Sequence, residues 1–323
     1  MAHDEPRARP PDEPGPSLPP AESEEDRSLS ALLAEVASAP ARAPAPAGPR
    51  LEPGTVVGRF ELVRELGRGG FGVVFEARDR ELGRRVAFKA MRPARRRGAS
   101  LEQPLREEAE AAARLNHPNV VTLHDHGLVE GTPYLILELL EGETLHARLK
   151  RGALPPAEAI RIAIEVGRGL VHAHGQGVVH RDLKPGNVFL CAGGGVKLLD
   201  FGLARLLDRA SLSGGTPAYM APEQLRGEPG DGRADVFAAA VLLFQMLSGA
   251  LPYRASRGEQ EVLRPGPPPR LPLPDAPPEL AALLAGALSK DPATRPQTAQ
   301  AILDGLEAVS RAYAGRAVAE ARA

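Results

Sequence analysis

His180-Arg181-Asp182-Leu183-Lys184-Pro185-Gly186-Asn187 brings an acid, two cations and an amide together directly ahead of two short β-rich runs. Those runs, Val188 to Cys191 and Val196 to Leu199, are separated by Ala192-Gly193-Gly194-Gly195, which predicts a hairpin. Asn187 and Asp200 lie equally far from its midpoint. Antiparallel pairing would therefore set an amide oxygen and a carboxylate opposite each other at the open end. Two hard oxygen ligands suit Mg²⁺, which shares its coordination sphere with phosphate oxygens. A solvated Asn and Asp beside a turn is the competing reading.

Upstream, Gly67-Arg68-Gly69-Gly70-Phe71-Gly72-Val73-Val74 falls between two predicted strands, so its glycines let a hairpin backbone approach phosphate closely. A strand rather than a helix follows the glycines, which argues against a dinucleotide site. Val86-Ala87-Phe88-Lys89 puts an ammonium in an apolar strand, where an unpaired charge is costly. On the next helical pattern Leu101, Leu105, Glu108, Ala112 and Leu115 form one stripe with a carboxylate in its middle. A Lys89 to Glu108 ion pair satisfies both and turns the lysine toward nucleotide phosphates; two unrelated surface charges are the bland alternative. Asp182 is then suited to accept or orient a hydroxyl proton, and Lys184 to offset charge on a phosphoryl group. His180 reads as packing and hydrogen-bonding support.

Around these motifs the texture changes twice. Residues 1–53 are rich in proline and acids, and residues 1–50 lack aromatics, a mixture that cannot repay the entropy of ordering, and the segment is expected to be disordered. Within it Leu29, Leu32, Leu33 and Val36 have helical spacing, so residues 29–36 read either as a docking helix for a partner or as a transient helix without one. From residue 54 come strands at Phe60 to Leu66, Val73 to Arg78, Arg85 to Met91, Val121 to His126 and Tyr134 to Glu138, interrupted by a helix over 101–115. After residue 140 helices dominate: one carries Ile160, Ala163, Gly167, Leu170 and His174 on a face, and Val236 to Leu247 reads as a buried helix. The fold class is α+β and bilobal, with an antiparallel-sheet lobe carrying one main helix (about 54–137) before a larger, mostly helical lobe (about 141–310). Residues 311–323 read as a short polar tail. The 323 residues carry a formal charge of −1, which leaves no basic footprint for nucleic acid. No run is long and apolar enough to span a bilayer, and no signal peptide opens the chain, so a cytoplasmic location is expected. Cys191, the single cysteine, is expected to fill a small apolar site.

Taken in order, the glycine-rich loop, Lys89, Glu108, His180-Arg181-Asp182, Asn187, Asp200-Phe201-Gly202, Ala221-Pro222-Glu223, Asp235 and Arg295 resemble a eukaryotic-type protein kinase domain of the bacterial serine/threonine (Hanks-type) branch, over residues 54–310. The resemblance implies an ATP-dependent, non-specific serine/threonine protein kinase using Mg²⁺ or Mn²⁺, acting on Ser and Thr of protein substrates including itself. It implies that Asp182 is the catalytic base, that Asn187 and Asp200 hold the metal, and that Lys89 and Glu108 pair. Leu66, Val74 and Ala87 would line the adenine pocket beneath Gly67, Gly69 and Gly72. Leu137 would be the gatekeeper, and Glu138 and Leu140 would offer backbone groups to adenine. Lys184 matches hydroxyl-directed kinases of the Ser/Thr type, and Thr216 would stand beside Asp182 and Lys184. Glu223 and Arg295 would form a structural ion pair, and Asp235 would tie down the catalytic loop.

Arg181 before the aspartate resembles kinases whose activation loop is phosphorylated, with Ser211 and Ser213 as candidates; a short loop ordered without modification is the equal alternative. Prolines between Pro252 and Pro278 leave only Ala255 to Leu263 for a helix, which bears on substrate docking. Ala238-Ala239-Ala240 is expected to alter packing only. Many relatives of this type continue into a membrane span and sensor domain, so the signal is expected to come from elsewhere. A pseudokinase scaffold is disfavoured by the joint presence of Lys89, Asp182, Asn187 and Asp200. A small-molecule phosphotransferase is disfavoured by residues 214–223. Metal binding by the pairs His124/His126 and His172/His174 is discounted, because i, i+2 positions on a helix do not converge.

Overall fold

The computed structural model describes residues 51–69, 72–91, 102–201, 217–228, 230–253 and 259–320. The 29–36 stripe, Ser211, Ser213 and Thr216 lie outside the described residues, and so does the side chain of Glu108.

The first lobe is a six-stranded antiparallel sheet. Strands β1 (Val56–Val57), β2 (Phe60–Gly69), β3 (Gly72–Asp79) and β4 (Arg85–Met91) precede helix α1 (Glu102–Ala113), and β5 (Leu123–Val129) and β6 (Thr132–Glu138) complete the order β1-β2-β3-β4-β6-β5. Alternation decides its inner face: Leu62, Phe75, Ala77, Val86, Phe88 and Ile136 are buried together. Phe88 stacks on Tyr134 at 4.7 Å. Leu51 packs into this core, so the lobe begins before residue 54, within the segment expected to be disordered. Val121, expected in a strand, instead leaves the sheet and donates its amide to the Leu198 carbonyl in the other lobe. At the edges of the sheet Arg59, just before β2, donates to Asp125 of β5 at 3.0 Å.

The second lobe opens with β7 (Gly142–Thr144), α2 (Leu145–Leu149) and α3 (Pro156–Gly175). Then come β8 (Val188–Cys191) and β9 (Val196–Leu198), which form a small sheet in the order β7-β8-β9. Helices α4 (Pro222–Leu225), α5 (Gly232–Ser248), α6 (Glu259–Leu263), α7 (Pro278–Ala287) and α8 (Ala299–Glu320) follow. Helix α5 is buried from Ala234 to Ala238 and again from Ala240 to Phe244, so it reads as apolar all round rather than amphipathic. It is capped by Asp231, which accepts the Arg233 amide, and ends at the left-handed Gly249 (φ 72°). Helix α3 packs against both α5 and α8. Helix α6 ends two residues before Pro265, within the span the prolines leave. Lys290 caps its C-terminal end by donating to the carbonyls of Glu261 (3.0 Å) and Arg264. The residues read as a polar tail from 311 continue α8 as far as Glu320, in keeping with the helix propensity of alanine. Among the described residues no helix is long and apolar enough to cross a membrane.

Candidate active site

The run quoted at the outset lies in the second lobe, upstream of the β8–β9 hairpin, and is held from below by α5. Asp235, 1% exposed, accepts the His180 amide (2.7 Å) and His174 Nε2 (2.8 Å) on one oxygen and the Arg181 amide (2.8 Å) on the other. Gln224 of α4 adds a bond from its side chain to the Arg181 carbonyl (2.9 Å). Buried His180 donates from Nε2 to the Leu199 carbonyl (2.9 Å), accepts the Asp182 amide at Nδ1 (3.3 Å) and packs on Phe201 at 4.6 Å. Both ring nitrogens are thereby used in structural bonds, as expected for a support.

Asp182 accepts Lys184 Nζ at 2.8 Å and Asn187 Nδ2 at 3.0 Å on the same oxygen. Asn187 Nδ2 also donates to the Asp182 carbonyl (2.7 Å). Two acceptors on the amide nitrogen fix its orientation, so the amide oxygen is the group turned to other use. Lys89, 6% exposed, meets both oxygens of Asp200 at 2.6 Å. The buried lysine thus has an anionic partner of the kind that burial demands in Asp200, while its expected pairing with Glu108 lies outside the described side chains. Glu108 is carried by α1 as expected.

The hairpin differs from its sequence reading by one residue. Cys191 and Gly195 still share a hydrogen bond, so the turn contains Ala192, Gly193 and left-handed Gly194 (φ 88°), three residues rather than four. Val188 pairs with Leu198, and Leu199 donates to the Asn187 carbonyl. Asn187 therefore opposes Leu199, and Asp200 stands one position beyond. It leaves the strand in a left-handed conformation (φ 61°), as Arg181 does (φ 66°). Such backbone in non-glycine residues is held only where neighbours enforce it.

Above this floor, Leu66, Val74 and Ala87 are buried as one cluster joined by Leu137 and Leu139. Leu66 reaches it through a bulge in β2 between Glu65 and Gly67. Gly69 pairs with Gly72 at the end of the glycine-rich hairpin. At Gly72 (φ 148°) a Cβ would stand 2.0 Å from the Ala90 carbonyl, so only glycine fits. Val121, Phe189 and Leu199 form an adjoining cluster with Leu137 and Leu140. Phe189 and Leu199 were not singled out in the sequence; Leu199 adjoins Asp200 and Phe189 lies two residues after Asn187, and that nearness was the available signal. Burial pushes the Cys191 thiol up, away from thiolate chemistry.

Among the described residues no cluster of three His, Cys, Asp or Glu would make an all-protein metal cage. The oxygens of Asn187 and Asp200 fit a divalent cation that takes few protein ligands and completes its shell with phosphate and water.

A model of the protein kinase domain matches residues 60–305. The chain belongs to the protein kinase family. Its relatives place this kinase in the bacterial serine/threonine branch: it is 38% identical over 268 residues to the serine/threonine-protein kinase PknA of Mycobacterium tuberculosis, covering 79% of this chain and 62% of PknA. It is 36% identical over 273 residues to the probable serine/threonine-protein kinase SCO3848 of Streptomyces coelicolor, covering 80% of this chain and 41% of that one. The kinase spans less than two thirds of the length of these relatives. The crystal structure of the M. tuberculosis PknI kinase domain superposes with a TM-score of 0.67 at 29% identity, covering 80% of this chain and 99% of that domain. Members of this family use ATP and a divalent metal ion.

Proposed function

We propose that the chain is a serine/threonine protein kinase, transferring the γ-phosphoryl group of ATP to Ser and Thr hydroxyls of proteins, itself included. The observation that carries this reading is the pair of linked contacts on one floor: Lys89 on Asp200, and Lys184 with Asn187 on Asp182. In this reading Asp182 orients the acceptor hydroxyl and receives its proton. Lys184, already beside that carboxylate, offsets charge on the group in transfer. Asn187 and Asp200 hold Mg²⁺, with Mn²⁺ as a substitute; the cation supplies charge neutralisation on the phosphates. Lys89 exchanges its contact with Asp200 for phosphate and for Glu108. Gly67, Gly69 and Gly72 bring backbone close to the phosphates. Leu66, Val74, Ala87 and the gatekeeper Leu137 enclose adenine, with backbone groups of Glu138 and Leu140 at its edge. Thr216 stands by the acceptor, and Ser211 and Ser213 are the sites at which modification of the activation loop is sought.

Catalysis of this kind is positioning and electrostatics, so loss of one charged group is severe. Purified protein with Mg²⁺ and radiolabelled ATP should phosphorylate itself, and Asp182→Asn or Lys89→Met should lower the rate by about 10²-fold or more. Wild-type protein that binds ATP but transfers no phosphate to itself or to generic protein acceptors would overturn the reading.

A further inference from the structure

One carboxylate oxygen of Glu138, at the end of β6, accepts the Thr122 amide (2.7 Å) and the Lys197 ammonium (2.7 Å). The Glu138 amide donates back to the Thr122 carbonyl (3.0 Å), and Lys197 donates to the Val120 carbonyl (3.2 Å). Lys197 lies on β9, in the run Val196-Lys197-Leu198-Leu199 that leads straight into Asp200. The same strand is bonded to the segment before β5, Leu198 to the Asn119 carbonyl and Val121 to the Leu198 carbonyl. Three pieces of chain therefore meet at a single carboxylate: the end of the small-lobe sheet, the approach to β5, and the strand that leads to Asp200.

The two side chains are 24% and 19% exposed, so the pair is neither a screened surface contact nor a fully desolvated one. Removing one partner leaves the other half-buried charge unmatched, and that charge will move to find water. Such movement would slide the end of β6 against the approach to Asp200. In the kinase reading these are the two ends of the nucleotide site, adenine at one and phosphates at the other. Loosening the contact alters the span between the two anchors before it touches Asp182 or Lys184.

Resting on that reading, we propose that Glu138 and Lys197 form a lobe-crossing latch, two positioning residues that hold the adenine-facing edge in register with Asp200 and set the affinity for ATP. The latch acts through side chains, apart from the backbone role of Glu138. Steady-state kinetics against ATP and calorimetry with ADP and Mg²⁺ test it on the full chain. Lys197→Met and Glu138→Gln should raise KM for ATP and weaken ADP about tenfold, the equivalent of about 1.4 kcal/mol, with most of the change in KM rather than kcat. Lys197→Arg should stay within about twofold of wild type, because it keeps the cation. A purely structural contact would lower the melting temperature and leave this split unchanged. Glu138→Gln retains an acceptor for Thr122 and serves if Lys197→Met fails to fold. The proposal is overturned by unchanged KM and ADP affinity in folded variants, or by Lys197→Arg losing as much as Lys197→Met. Wild-type protein that binds ADP but transfers no phosphate sinks the kinase reading instead, and the latch is then judged on ADP affinity alone.

Discussion

Glu76 shows how much one side chain can be made to carry in the small lobe. It is 4% exposed on β3, with one oxygen on Arg85 (2.6 Å) and the other on Arg64 (2.9 Å). The Arg85 hydrogen bond, helped by both positive charges, holds its carboxyl below the usual carboxylate range in spite of burial. A folded value below the unfolded one means stability that is present above the unfolded value and lost as pH falls through the folded one. Glu76→Gln should therefore destabilise the protein by about 1–2 kcal/mol near neutral pH, the modest end for charged hydrogen bonds because both arginines reach solvent. The gap in melting temperature between variant and wild type should close in acid; a gap independent of pH would contradict this account. The same reasoning about buried charge is what made Lys89 legible in sequence. Its contact with Asp200 was not. Pattern arguments rank acids on periodic elements, such as Glu108, and cannot see that Asp200 turns out of its strand through a left-handed backbone. Lys197, a second cation in an apolar strand, was open to the argument used for Lys89 and was overlooked.

At the scale of elements, strands and helices announced themselves where apolar residues are dense or share a face, and blurred at their ends and turns. The β-rich runs of β2 to β4 and the stripe on α3 were readable, whereas the spacing of a turn was not. A third glycine in Ala192 to Gly195 looks like turn sequence, yet Gly195 bonds to Cys191 as part of the ladder, and that shifts Asn187 against Leu199. The polar look of residues 311–320 concealed a continuation of α8, because composition speaks to solvation more than to backbone conformation. Close approach of strands is likewise invisible until the partner is known. Gly72 faces the Ala90 carbonyl so nearly that Gly72→Ala must push β3 from β4. That substitution should cost at least about 2 kcal/mol by denaturant titration and weaken ADP as well. A variant of wild-type stability would show that the hairpin can shift without strain.

At the scale of the molecule, two lobes were evident from the change in texture after residue 140, since a run of strands followed by a run of helices points to segregated α+β layers or separate cores. What joins the ends of the small-lobe sheet was not evident. Arg59 and Asp125 are distant in sequence, belong to opposite edges of the sheet, and meet at 3.0 Å. Open sheets carry a hazard that this contact limits, because an unpaired strand edge is a template on which another chain can build. Here one outer strand is only Val56–Val57, and the other, β5, is packed by α1 and spanned by the arginine. Asp125→Ala should thus leave the melting temperature nearly unchanged while hastening aggregation on gentle warming, followed by light scattering. An unaltered aggregation rate would assign the protection to α1 alone. The pairing of Arg59 with Asp125 then counts as insurance for solubility: it keeps the rim of the small lobe from being extended by a neighbour's strand during a long residence in a crowded solution.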